Sequence, residues 1–251
     1  MFGLFYSNED DDQRRIALAF KEPEDVNVCI WRYMDFTKLV SLLEAQSLFF
    51  SRLDKLGDPF EGSSTKNNID ARADIQFLAG FKNEEDTSIS SKISPAIFKS
   101  RQRFMVNCWH KNPGESAAIW KLYAKSNEAI AIQSTYFKLR QCLDQKIPIG
   151  EVKYINYGTD MISDEGNLFN VVLHKRESFS HEHEIRAVTW VARDTLTDGV
   201  GIKVELDKLI DQIFVAPTSP EWFKDLVGKV LNRYGVGRVP QKSALDDEAL
   251  F

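Results

Sequence analysis

The chain predicts an α+β fold built on a largely antiparallel sheet. Three observations carry this. Short β-branched and aromatic runs recur along the 251 residues. The late runs follow one another with little more than turn residues between them. Strand–helix alternation is too loose for a doubly wound parallel sheet. The composition, 43% hydrophobic and 27% charged, is that of a globular domain long enough to bury a core without disulfides or metal.

Residues 1–27 read as a charged N-terminal extension. VCIWRYM (28–34) is a short strand. Asp35 and Thr37 then start a helix, because their side chains accept from the free N–H groups of a first turn. Phe36, Leu39, Val40 and Leu43 form its apolar face. SLFFSRL (47–53) is the next strand, closed by the turn GDPFEG (57–62), where Asp and Pro favour a bend and Gly permits positive φ. Segment 63–100 is polar and weakly helical, the expected variable insertion.

FMVNCWH (104–110) is a buried strand, followed by a turn at Asn112, Pro113 and Gly114 and a helix over 115–125. AIAIQS (129–134) is a strand, YFKLRQCL (136–143) a short helix, VKYINY (152–157) a strand, and 167–179 carries a helical face. Three further strands are expected at 183–191, 200–206 and 212–218, then a helix over 220–234 and an edge strand near VGRVP. One domain over 28–240 with a tail at 241–251 is the simplest division.

A net charge of −5 argues against a strong non-specific nucleic-acid binder, which depends on clustered cations. Arg101, Arg103, Lys111, Lys121 and Lys125 form a loose basic candidate. Cys29, Cys108 and Cys142 are odd in number, widely spaced and in apolar contexts, as free thiols of a reducing compartment are. An acidic N-terminal stretch unlike a signal peptide, and no apolar run of spanning length, complete the expectation of a cytoplasmic chain away from membranes.

Phosphate-binding glycine loops, HExxH and GxSxG are missing from the sequence. The densest chemical cluster is HEHEIR (181–186). On a strand, its period of two sets Glu182, Glu184 and Arg186 on one face, as a carboxylate pair with its cation or as an exposed ion pair. His181 and His183 share the other face, more simply as solvated histidines than as metal ligands. Arg32 lies between Trp31 and Tyr33 in an apolar strand and needs an anion, either a ligand phosphate or Asp58, Glu61 or Glu184. Trp120 and Tyr123 are i and i+3 on one helix, a core pair or a stacking platform.

The order of these pieces, WRYM, LFFSRLDKLGDPFEG, the CWH strand, IWKLYA, AIAI, VKYINY and HEHEIRAV, resembles a bacterial domain-of-unknown-function family with an RY…DPFE…WxxY…ExExR pattern. The likeness spans about 28–215. Gly57 replaces the family's usual Asn, and Ile185 a common aromatic. The same order is similar to ADP-ribosyltransferases, which implies a strongly twisted or split sheet and NAD as the substrate. The resemblance implies that Arg32 grips NAD beside Tyr33 and that Ser51 stands where the middle motif lies. It further implies that Trp120 and Tyr123 frame the nicotinamide and that Arg186 joins the binding set. Glu184 would stabilise the ribosyl cation and Glu182 position a macromolecular acceptor, protein or nucleic acid. A bacterial toxin or phage-defence effector with an antitoxin or regulatory partner follows by analogy. A non-catalytic sensor or interaction module, its ionic network holding the fold, is the alternative. A phosphodiesterase is a weaker third, its acids too dispersed for a metal cluster.

Overall fold

The computed structural model describes residues 9–78, 97–123, 126–165, 167–191 and 197–246. The centres of the expected insertion and basic patch, 79–96 and Lys125, and the chain ends at 1–8 and 247–251 lie outside the described residues. Helix α1 (Glu9–Ala19) falls in the segment read as a plain charged extension, and it docks through Ile16, Ala19 and Phe20. Strand β1 (Cys29–Asp35), helix α2 (Phe36–Ala45), strand β2 (Ser47–Arg52) and helix α3 (Lys66–Leu78) follow. The α2 start is as expected: the Asp35 carboxylate accepts from the Lys38 N–H at 2.9 Å and from the Thr37 hydroxyl at 2.7 Å.

Next come β3 (Phe104–Lys111), α4 (Ala117–Tyr123), β4 (Ala129–Thr135) and α5 (Tyr136–Cys142). The run at 152–157 is a shorter strand than expected. Its strand is trimmed to β6 (Lys153–Ile155), and a further short strand, β5 (Ile149–Glu151), precedes it and joins the other sheet. The helical face expected over 167–179 is cut to α6 (Leu168–Val172). The rest becomes β7 (His174–Arg176), paired in parallel with β6, and a 3-10 turn (Glu177–Glu182). Strands β8 (Glu184–Trp190), β9 (Gly199–Lys203) and β10 (Gln212–Val215) are interrupted by α7 (Leu206–Leu209). Helix α8 (Glu221–Arg233) and β11 (Gln241–Lys242) close the described fold, the edge strand lying just beyond VGRVP.

The main sheet runs β11-β10-β4-β1-β3-β2-β9, with β8 on β3 and β5 on β8. Every pairing in it is antiparallel except β10 with β11. A strand has two edges, and β8 takes one edge of β3 along its length, from Phe104↔Trp190 to His110↔Glu184. Strands β1 and β2 must therefore share the other edge. β2 pairs at Met105 and Val106, and β1 at His110 and Lys111. The sheet forks between them over residues 107–109.

One face of the sheet buries a continuous core in which Ile30, Met34, Met105, Trp109 and Ile185 pack with Leu39 and Leu43 of α2 and Phe223 and Val227 of α8. The opposite face carries two separate apolar clusters. Trp31 and Tyr33 pack under Ile119 and Trp120 of α4. Phe104, Val106 and Val188 pack under Phe169 and Val172 of α6. The strip between these clusters is polar: His110, Cys108, Glu184 and Arg186, aligned by the β3–β8 register. Among the described residues no helix is long and apolar enough to cross a membrane.

Candidate active site at the sheet fork

The polar strip is an ionic network. Arg186, fully buried, grips Glu184 through Nε at 2.9 Å and Nη2 at 3.0 Å, reaches Glu61 at 3.1 Å, and donates to the Val172 carbonyl at 2.6 Å. Lys175 joins Glu61 and Glu184 at 3.3 Å and Glu182 at 2.5 Å. Three carboxylates thus face two cations. The first is delivered by the GDPFEG turn, where Gly62 at φ +68 closes the bend behind Glu61. Burial alone would raise the Glu184 carboxyl, but Arg186 and Lys175 hold it well below the usual carboxylate range. Burial would lower the Lys175 ammonium, yet Glu184, Glu61 and Glu182 raise it. The half-buried Cys108 thiol is pushed up by burial and by the negative charge of Glu184, so it stays protonated.

The two glutamates of the HEHEIR cluster differ in availability. Glu184 and Arg186 share a face on β8, as alternation requires. Glu182 precedes the strand. It ends the 3-10 turn, and His183, at φ 38, reverses the chain so that Glu182 folds back onto Lys175. His181 and His183 therefore lie in a turn rather than along a strand, and among the described residues no three His, Cys, Asp or Glu side chains gather as metal ligands. Both Glu184 oxygens are committed, whereas Glu182 is held through Oε2 alone and its side chain is 15% exposed.

Arg32 lies at the fork. Among the described residues it pairs with none of Asp58, Glu61 or Glu184: Asp58 binds Arg176 at 2.9 Å, and the other two belong to the network. Strand alternation groups Arg32 with Ile30 and Met34, the row opposite Glu184. Its guanidinium donates to the Cys108 carbonyl at 3.3 Å and lies 5.9 Å from the ring of Trp109, which packs in the same core as Ile30 and Met34. Burial lowers its pKa, opposed weakly by Cys108 and Tyr123. One strand separates β1 from β8, so the Arg32 and Glu184 backbones are roughly 10 Å apart. Cys108 of β3 stands between them, its carbonyl on Arg32 and its backbone paired with Arg186.

The aromatic pair divides. Trp120 is core: 3% exposed, edge-on to Tyr33 at 4.9 Å, its indole N–H on Glu115 at 2.9 Å. Tyr33 is buried with it, its hydroxyl accepting from the Ser116 N–H and its phenol raised to about 12 by burial. Neither offers a free ring face for stacking. Tyr123 ends α4 and is 48% exposed, and its phenol is raised by burial and, after that, by the negative charge of Glu182. Ser51 sits on β2, across the fork from Arg32, paired with Val106 and Gly199. Of the basic candidates, Arg101 is buried and Lys111 is tied to Glu151 at 2.6 Å, so they make no open patch.

Sequence reasoning missed three groups here. Lys175 lay in a segment read as helix, Tyr154 accepts from the Glu184 N–H at 2.8 Å, and His110 donates to the Glu182 carbonyl. No local spacing marks any of them, since each arrives through a strand pairing.

No family model and no curated protein matches the chain. Among solved structures, DarT from Thermus sp. 2.9 in complex with ADP-ribosylated single-stranded DNA is similar at 9% identity and a TM-score of 0.41, covering 91% of this chain and 99% of that one. At that TM-score the likeness decides neither fold nor activity.

Proposed function

We propose that the fork binds NAD and that the protein is an ADP-ribosyltransferase-like enzyme, transferring ADP-ribose to a macromolecular acceptor. The observation that carries this reading is the unpaired Arg32 guanidinium beside a network with one carboxylate in excess. A cation held without a carboxylate suits an anionic ligand group, and a diphosphate takes a guanidinium bidentately. An excess negative charge two strands along the sheet suits a group that is or becomes positive. NAD has both, a pyrophosphate and a nicotinamide ring whose departure leaves positive charge on the ribose. The carboxylates oppose that charge, nicotinamide leaves with the bonding electron pair, and the acceptor attacks the ribosyl carbon and gives up its proton. Tyr123, half exposed at the end of α4, is the ring available to the nicotinamide; Ser51 and Arg186 border the site.

The engagement of both Glu184 oxygens supports an anchoring role for it, and the uncommitted oxygen of Glu182 supports that residue as the one toward the ligand. Radiolabelled NAD incubated with the protein and cell lysate should yield a labelled macromolecule or free nicotinamide. Glu182→Gln should cut that turnover about 10²–10³-fold with little change in melting. Wild type inert toward protein, RNA and DNA acceptors, or indistinguishable from Glu182→Gln, would sink the idea. A second reading, a non-catalytic module whose network only holds the fold, is favoured by the closure of Glu184 onto Arg186 and Lys175, and it predicts that inert wild type.

A further inference from the structure

His110 is buried, with 8% of its surface exposed, in the row Trp31–His110–Glu184. Its Nδ1 lies 2.6 Å from the Glu182 carbonyl oxygen. A carbonyl only accepts, so Nδ1 carries the proton, and in the neutral ring Nε2 is a bare acceptor. That Nε2 is buried and, among the described residues, has no hydrogen-bond partner. A protonated ring would therefore bury an N–H with nothing to receive it, which is costly. The groups facing the ring are Tyr33 from β1, with centroids 6.3 Å apart, His181, Glu182 and His183 from the 3-10 turn, and Glu184 from β8. The Tyr33 hydroxyl is engaged by Ser116, and Glu184 by Arg186 and Lys175.

The same hydrogen bond bears on the turn that matters. Glu182 reaches Lys175 only because the chain reverses at His183, a non-glycine residue in the left-handed region. Two bonds from β3 hold that reversal: Nδ1 of His110 on the Glu182 carbonyl, and the Lys111 N–H on the His183 carbonyl at 2.8 Å. The second is ordinary backbone pairing, and only the first can titrate.

We infer that His110 is the positioning residue of the Glu182 carboxylate: the neutral imidazole holds the turn, and protonation at the buried Nε2 releases it. This rests on the proposed role of Glu182 and adds its regulation by pH. Burial lowers the His110 pKa, with the Glu182 carbonyl opposing and His183 and His181 adding to it. The hold is therefore complete at neutral pH and is lost as pH falls below the free-imidazole value of about 6.5 toward the lower folded one.

Three variants of the full chain test it with NAD turnover against pH. Asn puts an N–H near the place of Nδ1 and does not titrate, so His110→Asn should retain turnover and lose the acid limb of the kcat profile. His110→Leu has no donor and should lower kcat roughly 10–100-fold, with KM for NAD moving less. Glu182→Gln in the His110→Asn background should erase the retained turnover. An acid limb unchanged in His110→Asn overturns the inference. Nitrogen NMR of histidine-labelled protein decides it independently of turnover, even if His110→Leu fails to fold. Near pH 7 the neutral His110 ring should be the Nδ1–H tautomer, and on acidification it should titrate below 6.5 and carry the amide signals of 181–183 with it. An Nε2–H tautomer, or amides that ignore the titration, would refute the role of His110. Absent NAD turnover in wild type refutes the enzyme reading instead.

Discussion

At the scale of single residues, the buried ion network makes a sharp claim about acid. Glu184 is held at about 2 by Arg186 and Lys175 against the opposing effect of its burial. A carboxyl depressed in the fold contributes stability that is present above its unfolded value of about 4.3 and lost as pH falls through the folded value. Melting curves between pH 6 and pH 2 should show that loss. Glu184→Gln should lower stability at pH 7 by about 3–5 kcal/mol, because Arg186 is left with one buried carboxylate fewer, and should flatten the acid dependence. Equal stability of Glu184→Gln and wild type would show the network to be idle. Much of this was legible: Glu184 and Arg186 share a face because alternation on a strand is a local rule. Lys175 was not legible, since its position depends on β7 pairing with β6, and nothing in LHKRESF fixes that pairing. Nor was the division of Trp120 from Tyr123, because helical spacing alone does not say which side meets the sheet.

The elements show where local chemistry prevails and where packing overrides it. The β1–α2 junction follows from its sequence through the Asp35 cap. The short β5 before β6 did not, because three residues, Ile149–Glu151, carry too little alternation to mark a strand and take their place from pairing with β8. The GDPFEG turn was legible as a turn, but not as the carrier of a buried carboxylate. Gly62 there has φ +68, and a Cβ would come within 2.6 Å of the Leu53 side chain. Gly62→Ala should therefore destabilise the protein by at least 1 kcal/mol. It should also disturb the Glu61–Arg186 pair, visible as a weakened acid dependence of melting. A variant as stable as wild type would mean that the turn relaxes without moving Glu61.

For the whole molecule, the decisive feature is the fork. A mainly antiparallel α+β sheet was readable from the succession of late strands, yet two strands sharing one edge of β3 is long-range topology. Only the resemblance, not periodicity, supplied the expectation of a split. The fork explains why Arg32, placed by alternation in the opposite row from Glu184, still reaches Cys108. It leaves the guanidinium unpaired, a cost to stability that a ligand would offset. If the fork binds NAD as proposed, this arginine serves the anionic part of the ligand. The most direct measurement is calorimetric titration of NAD into wild type and Arg32→Met, with both first shown folded by melting. The account predicts binding by wild type, a loss of about 10–100-fold in Arg32→Met from one charge-assisted contact, and an unchanged or higher melting temperature. Equal NAD affinity of the two proteins, or a melting temperature that collapses in Arg32→Met, would contradict it.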